Sequence, residues 1–226
     1  MKRYGVIDFK HKREIVLLQG RGCAYKGCRF CDYYLDVSQE ATSINMQVLN
    51  QVEGKYGVLE VINSGSFNEL DQETLEHIRV VAKRVGIHTL IFECHYLYRK
   101  EIARLKEFFG ESQVRIKIGI ESFDVDLRER VLNKGIKESE PSVIAQDFDE
   151  ANLLIGVEGQ SLAMIAQDIE LGLRYFDRIC LNVMCDNSKM RANQAVIAEF
   201  KAEILPMYWD NPRIDILLEN TDFGVG

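Results

Sequence analysis

Short apolar runs of strand length alternate with amphipathic stretches through most of the 226-residue chain, and this alternation restricts the fold more than any other feature. The runs are Glu14 to Gln19, Val58 to Asn63, His88 to Cys94, Val114 to Ile120, Asn152 to Val157 and Arg178 to Met184. Each is rich in Val, Ile or Leu, as strands covered on both faces of a parallel sheet are. Between them helices are predicted at Ile44 to Glu53, Asp71 to Val85, Arg99 to Phe109, Asp124 to Asn133, Pro141 to Ala151 and Ser161 to Phe176. Several open on a good cap or on proline, and Asn133-Lys134-Gly135 stops one of them, with glycine free to take positive φ. A further helix over Gln194 to Ile204 and a strand at Ile214 to Leu218 close the chain.

Six such βα repeats are fewer than the eight of a closed barrel, so an α/β fold built as a partial (β/α)6 barrel is expected, an open parallel sheet with outer helices. Hydrophobic residues make up 46% of the chain, enough for a well-buried core, and no linker or low-complexity tract interrupts it. A single domain over residues 1–226 is predicted. Ligand chemistry in parallel α/β folds gathers at the carboxyl ends of the strands, so the loops that follow the apolar runs are the places to search.

The loop after the first run is Gly20-Arg21-Gly22-Cys23-Ala24-Tyr25-Lys26-Gly27-Cys28-Arg29-Phe30-Cys31. Thiolates with gaps of four and then two residues converge on one centre if the loop curls, and Gly22 and Gly27 permit that. Three thiolates are one short of a closed zinc site and of a four-cysteine iron-sulfur cluster, which favours a cubane cluster with one iron left open. A zinc site or a redox thiol set is the alternative on the residues alone. Cys180 and Cys185 repeat the four-residue gap, but on one extended strand they stand about 16 Å apart on opposite faces and read as structural thiols.

The net charge is −7, with no long basic run, so a ligand gripped by its phosphate backbone is disfavoured and a small-molecule substrate is expected rather than nucleic acid. The first residues contain no apolar run of signal-peptide length, and no segment approaches the ~18 apolar residues of a membrane span. Six sparse cysteines do not make a disulfide scaffold. A cytoplasmic protein without membrane contact is predicted.

With the cysteine loop after the first strand and Phe30 just before the third cysteine, the chain resembles the radical S-adenosylmethionine enzymes over nearly its full length. That family commonly spaces its cysteines by three and two residues, so the four-residue first gap is a departure. The resemblance implies a [4Fe-4S] cluster on Cys23, Cys28 and Cys31 with S-adenosylmethionine on the open iron. A reducing electron cleaves the cosubstrate to methionine and a hydrogen-abstracting 5′-deoxyadenosyl radical. It implies that Asn63-Ser64-Gly65-Ser66, where the family has a glycine-rich segment, receives the methionine ammonium. Glu121 and Ser122, at the family's polar fourth-strand end, would hold the ribose or methionine part, with Asp124 capping the next helix. Asn182 would pair with adenine or ribose if it faces inward.

Glu93, Glu158 and Asp186 are available carboxylates for the donor edge of a heterocycle, and Tyr33 is a candidate wall of the pocket. His95 reads as a satisfied histidine more readily than as a base. Within the family the chain most resembles small members acting on 7-deazaguanine bases, which implies cleavage of a carbon–nitrogen bond and an electron donor such as flavodoxin or ferredoxin. A 7-carboxy-7-deazaguanine synthase, a glycyl-radical-enzyme activase and a zinc or iron-sulfur binding module without turnover are the rival readings.

Overall fold

The computed structural model describes residues 1–225. The sheet has eight strands whose order follows the chain: β1 (Tyr4–Ile7), β2 (Arg13–Leu18), β3 (Val58–Asn63), β4 (Thr89–Glu93), β5 (Gln113–Glu121), β6 (Glu150–Ile155), β7 (Arg178–Val183) and β8 (Ile214–Leu217). The six expected strands all form, each end within two residues of its predicted place. β1 was not expected. It runs antiparallel to β2, with Tyr4 opposite Val16, and is a short, half-exposed edge that carries little apolar signal. No helix among the described residues is long and apolar enough to cross a membrane.

Contacts divide the chain into two compact units. The first comprises residues 1–26 and 33–117 and the end of the chain from Thr221; the second comprises residues 27–32 and 118–220, so the division falls within β5.

In the first unit β2, β3, β4 and the first half of β5 pair in parallel, with Val16 opposite Val61 and Val61 opposite Phe92. The helices are α1 (Ala41–Leu49), α2 (Gln72–Val85) and α3 (Ile102–Phe108). Asp71 caps α2 by accepting from Thr74 N at 2.8 Å, and Gly86 ends it at φ 75°. Leu59 and Val61 are fully buried on one face of β3. Glu60, between them, lies on the other face, where Arg13 Nε reaches it at 2.5 Å and Lys117 Nζ bonds its second oxygen. Burial opposes the Glu60 charge, but the two cations outweigh it and hold the carboxyl far below the usual range.

In the second unit β6, β7 and β8 pair in parallel, and α5 (Leu162–Tyr175) packs on one face of β6 and β7. Leu153, Leu181, Ile165 and Ile169 are fully buried there. Gly172 permits the approach, since a Cβ on it would lie 2.7 Å from Ile179 Cγ2. The opposite face is more polar, carrying Asn152, Cys180 and Asp215 in one register row and Leu154, Asn182 and Leu217 in the next.

Two expected helices differ. The one over Asp124 to Asn133 is a single wide turn, Leu127–Val131, followed by irregular chain. The one over Pro141 to Ala151 is only α4 (Pro141–Ile144), because the chain enters β6 at Glu150. The expected Gln194 to Ile204 helix forms as α6 (Gln194–Glu199) and a wide turn at Phe200–Ile204, continued by α7 (Leu205–Tyr208).

Candidate functional site

The first unit carries Cys23 at the foot of the loop that leaves β2. Its neighbours are tied to the turn after β3 by one residue, Glu69. Ala24 N donates to Glu69 Oε1 at 2.5 Å, Ser66 N donates to Oε2 at 2.6 Å, and Arg21 N donates to the Glu69 carbonyl at 2.9 Å. The polar side chains of the turn are engaged, two of them by amides from outside it. Asn63 Nδ2 donates to Ser66 O, Gly20 N donates to Ser64 Oγ, and His95 N donates to Ser66 Oγ at 2.9 Å. Gly65 is its half-buried member, while Asn63, Ser64 and Ser66 are buried.

His95 is engaged by its neighbours. Its Nδ1 accepts from Leu97 N at 3.1 Å and its ring stacks on Tyr25, with centroids 4.8 Å apart. Glu93 ends β4 half-buried. Tyr33 is 56% exposed, and the neighbouring Tyr34 ring lies under Lys26 Nζ at 5.9 Å.

The second unit carries Cys28, Phe30 and Cys31, and this stretch is anchored on both sides. Asn133 Nδ2 donates to Gly27 O at 2.7 Å, Arg29 N donates to Leu132 O at 2.9 Å, and Asn187 Nδ2 donates to Phe30 O at 2.7 Å. Beside it lies Lys134, buried, its Nζ 2.8 Å from Glu121 Oε1 and 5.4 Å from the centre of the Phe30 ring. Burial alone disfavours the ammonium, but Glu121 and the thiolates of Cys28 and Cys31 hold it charged, well above the usual lysine range. Glu121 sits at φ 67°, a conformation that glutamate adopts only when its surroundings impose it, and Asn133 at φ 52°, a left-handed conformation that asparagine takes readily.

Ser122 follows Glu121 and is fully engaged: its hydroxyl donates to Asp168 Oδ2 at 2.7 Å and accepts from Asp124 N. Asp168 also accepts from Phe123 N at 2.7 Å. Burial raises the Asp168 carboxyl to about 6, against the lowering effect of those two hydrogen bonds. Asp124 caps the next turn by accepting from Leu127 N at 2.7 Å.

Asn182 lies on the β7 face turned from α5, and its Oδ1 is buried without a hydrogen-bond partner. Glu158 and Asp186 are exposed and committed to loop contacts, Glu158 accepting from Asn193 Nδ2 and Asp186 from Ala192 N. Cys180 is buried within β7 and Cys185 lies beyond its end.

The donor set fits an iron-sulfur cluster. Cys23, Cys28 and Cys31 form no disulfide, each is half-buried, and within the second unit a buried cation lies beside two of them. Among the described residues no three His, Cys, Asp or Glu side chains gather as ligands of one metal ion. A cubane sets a different test, because each cysteine binds a different iron.

Glu69, Lys134 and Asp168 were not singled out from sequence. Glu69 had a signal, the Ser66-x-x-Glu69 spacing of a capping box. Lys134 sat in view inside a helix-stop tripeptide, and nothing local shows that it turns inward.

The chain has 43% identity to the queuine lyase from Clostridium spiroforme, solved bound to SAM and queuine, covering 100% of this chain and 99% of that one with a TM-score of 0.95. The fold is shared, at lower likeness, with methylornithine synthase (13% identity, 89% and 63% coverage, TM-score 0.58). It is shared too with Streptococcus suis SuiB bound to S-adenosylmethionine (13%, 91% and 47%, TM-score 0.56). An uncharacterized protein of Methanocaldococcus jannaschii is 28% identical over 141 residues, 54% of this chain, and the chain covers only 38% of that curated relative's length. No family model matches.

A mostly parallel α/β sheet with three cysteines in the loop after its first parallel strand, and an end-to-end match to an enzyme bound to SAM, define a radical S-adenosylmethionine enzyme, and the partial-barrel fold expected from sequence is the one observed. At 43% identity from end to end, the chain belongs to the queuine lyase family.

Proposed function

We propose that the chain cleaves queuine at the carbon–nitrogen bond between its cyclopentenediol and its aminomethyl group, releasing 7-aminomethyl-7-deazaguanine. The observation that carries this reading is the end-to-end match to a queuine lyase bound to SAM and queuine. Cys23, Cys28 and Cys31 would hold a [4Fe-4S] cluster, and a reduced flavodoxin or ferredoxin would supply its electron. Bound there, the cluster and S-adenosylmethionine supply radical chemistry that abstracts a substrate hydrogen.

The chain's own residues bind and orient. With Asn63 Nδ2 bonded within the turn and the Ser64 and Ser66 hydroxyls accepting from Gly20 N and His95 N, the main chain around Gly65 is the part best suited to the methionine ammonium. Lys134 offsets the negative charge of the thiolates beside it and aims the Glu121 carboxylate, whose second oxygen is suited to a ribose hydroxyl. Ser122, through Asp168, holds the turn that keeps Glu121 in its left-handed conformation. The unpartnered Asn182 oxygen is suited to an amino donor such as that of adenine. Of the carboxylates available to a deazaguanine edge, Glu93 is favoured, since it is half-buried at a strand end whereas Glu158 and Asp186 are exposed.

The test is anaerobic turnover of protein reconstituted with iron and sulfide, given S-adenosylmethionine, a reductant and queuine, with products followed by mass spectrometry. Deoxyadenosine together with 7-aminomethyl-7-deazaguanine is the expected result. Deoxyadenosine with queuine intact would discard the substrate, and a full cluster without either product would discard the activity.

A further inference from the structure

We infer that Glu69 is a positioning residue of the catalytic centre, fastening the segment that carries Cys23 onto the Asn63–Ser66 turn. The inference rests on the cluster reading above and concerns what places the first thiolate against the cosubstrate turn.

Glu69 is 5% exposed, and both of its carboxylate oxygens are spent on main-chain amides. One amide belongs to Ala24, next to Cys23, and the other to Ser66, in the turn. Tyr98 adds its hydroxyl to Oε1 at 3.4 Å, and the Glu69 carbonyl accepts from Arg21 N at 2.9 Å. Amides on both sides of Cys23 therefore end on one residue. A capping box accounts only for the bond from Ser66 N. It does not account for Ala24 or Arg21, which lie more than forty positions away in the chain.

Two glycines make room for this arrangement. A Cβ on Gly65 would stand 1.7 Å from Glu69 Oε2 and 3.0 Å from Cys23 Cα, so the carboxylate and the cysteine backbone occupy the space that a side chain at 65 needs. A Cβ on Gly20 would stand 2.9 Å from the Glu69 carbonyl oxygen. Glycine at 65 is thus required by Glu69 and Cys23 whatever the turn binds.

Both amide bonds need an acceptor, and a carboxylate has two acceptor oxygens where a carboxamide has one. Glu69→Gln keeps the shape but leaves Ala24 N or Ser66 N facing an NH2 group. Gly65→Ala keeps the carboxylate but drives it from its place. The same fault is expected from both, through different atoms.

The experiment compares iron-loaded wild type, Glu69→Gln, Glu69→Ala, Gly65→Ala and the Gly65→Ala/Glu69→Ala double variant. It reads iron per chain, the EPR spectrum of the reduced cluster with and without S-adenosylmethionine, and KM and kcat for cosubstrate cleavage, with circular dichroism as the check on folding. Glu69→Gln is expected to fold and load iron, to show an altered EPR spectrum, and to raise KM for S-adenosylmethionine about tenfold or more. In the double variant the alanine at 65 should cost much less than it does alone, since the atoms nearest to it are gone. A folded, iron-loaded Glu69→Gln with wild-type EPR and KM overturns the inference. Should that variant not fold, equal costs of Gly65→Ala with and without Glu69 overturn it instead. Failure of the cluster reading looks different: the wild type itself would hold no iron.

Discussion

Lys134 Nζ lies 2.8 Å from Glu121 Oε1, a buried ion pair that joins the residue after a helix stop to a strand end held at φ 67°. Lysine paired with one carboxylate is ordinary. Here the same ammonium also answers the charges of Cys28 and Cys31, so it is both a counter-charge to the thiolates and the brace of the strand end.

Removing one partner of a buried pair strands the other. Lys134→Met is expected to destabilise the protein by about 3–5 kcal/mol, and Lys134→Met with Glu121→Gln by clearly less. Urea denaturation of the two variants checks this, and equal losses would refute the pairing as the cause.

The cysteines separate by position. Cys28→Ala should abolish deoxyadenosine formation, whereas Cys180→Ala and Cys185→Ala should keep wild-type iron. Loss of about a quarter of the iron in either of the last two would mean that the ligands are misassigned.

Asp168 predicts a pH dependence of unusual sign for an acid. Its carboxyl rises from 3.8 to about 6 on folding, so the native state binds the proton more tightly than the unfolded chain does. This contribution to stability is fully present below the unfolded value and is lost as pH rises through about 6, a loss of roughly 3 kcal/mol. Urea midpoints from pH 3.5 to 7.5 should show it as a component that is absent in Asp168→Asn.

Glu60 predicts the opposite slope. Arg13 and Lys117 depress its carboxyl, so its contribution is present above the unfolded value near 4.5 and is lost as pH falls toward the folded one. Glu60→Gln leaves two buried cations short of their anion and should cost about 3–5 kcal/mol at pH 7 by urea denaturation.

Asn182 should behave as a binding residue rather than a structural one. Its orphan oxygen gives up no protein contact, so Asn182→Ala is expected to change stability by no more than about 0.5 kcal/mol. Its KM for S-adenosylmethionine or queuine should rise about tenfold, and an unchanged KM would remove Asn182 from the site.

The βα alternation and the three-cysteine loop were legible in the chain because both are local signals. A strand buried on two faces needs a continuous apolar run, and thiolates eight residues apart at most can meet through a flexible loop. Where local signals were weak the reading fell short. β1 is four residues of half-exposed edge, and the expected Pro141 to Ala151 helix yields to β6 because Ala151, like its partner Ile179, belongs to the buried ladder. Asp124 was read correctly as a cap, since its partner Leu127 is three residues away.

The sequence by itself determined the fold class, the strands other than β1 and the loops that follow them. Only the tertiary structure decided that Glu69 answers Ala24, that Lys134 answers Glu121, and that Ser122 is held by Asp168. Each of these unites residues far apart along the chain or turned inward by irregular backbone. A buried charge finds its partner by the geometry of packing, which leaves no period and no spacing in the sequence to read.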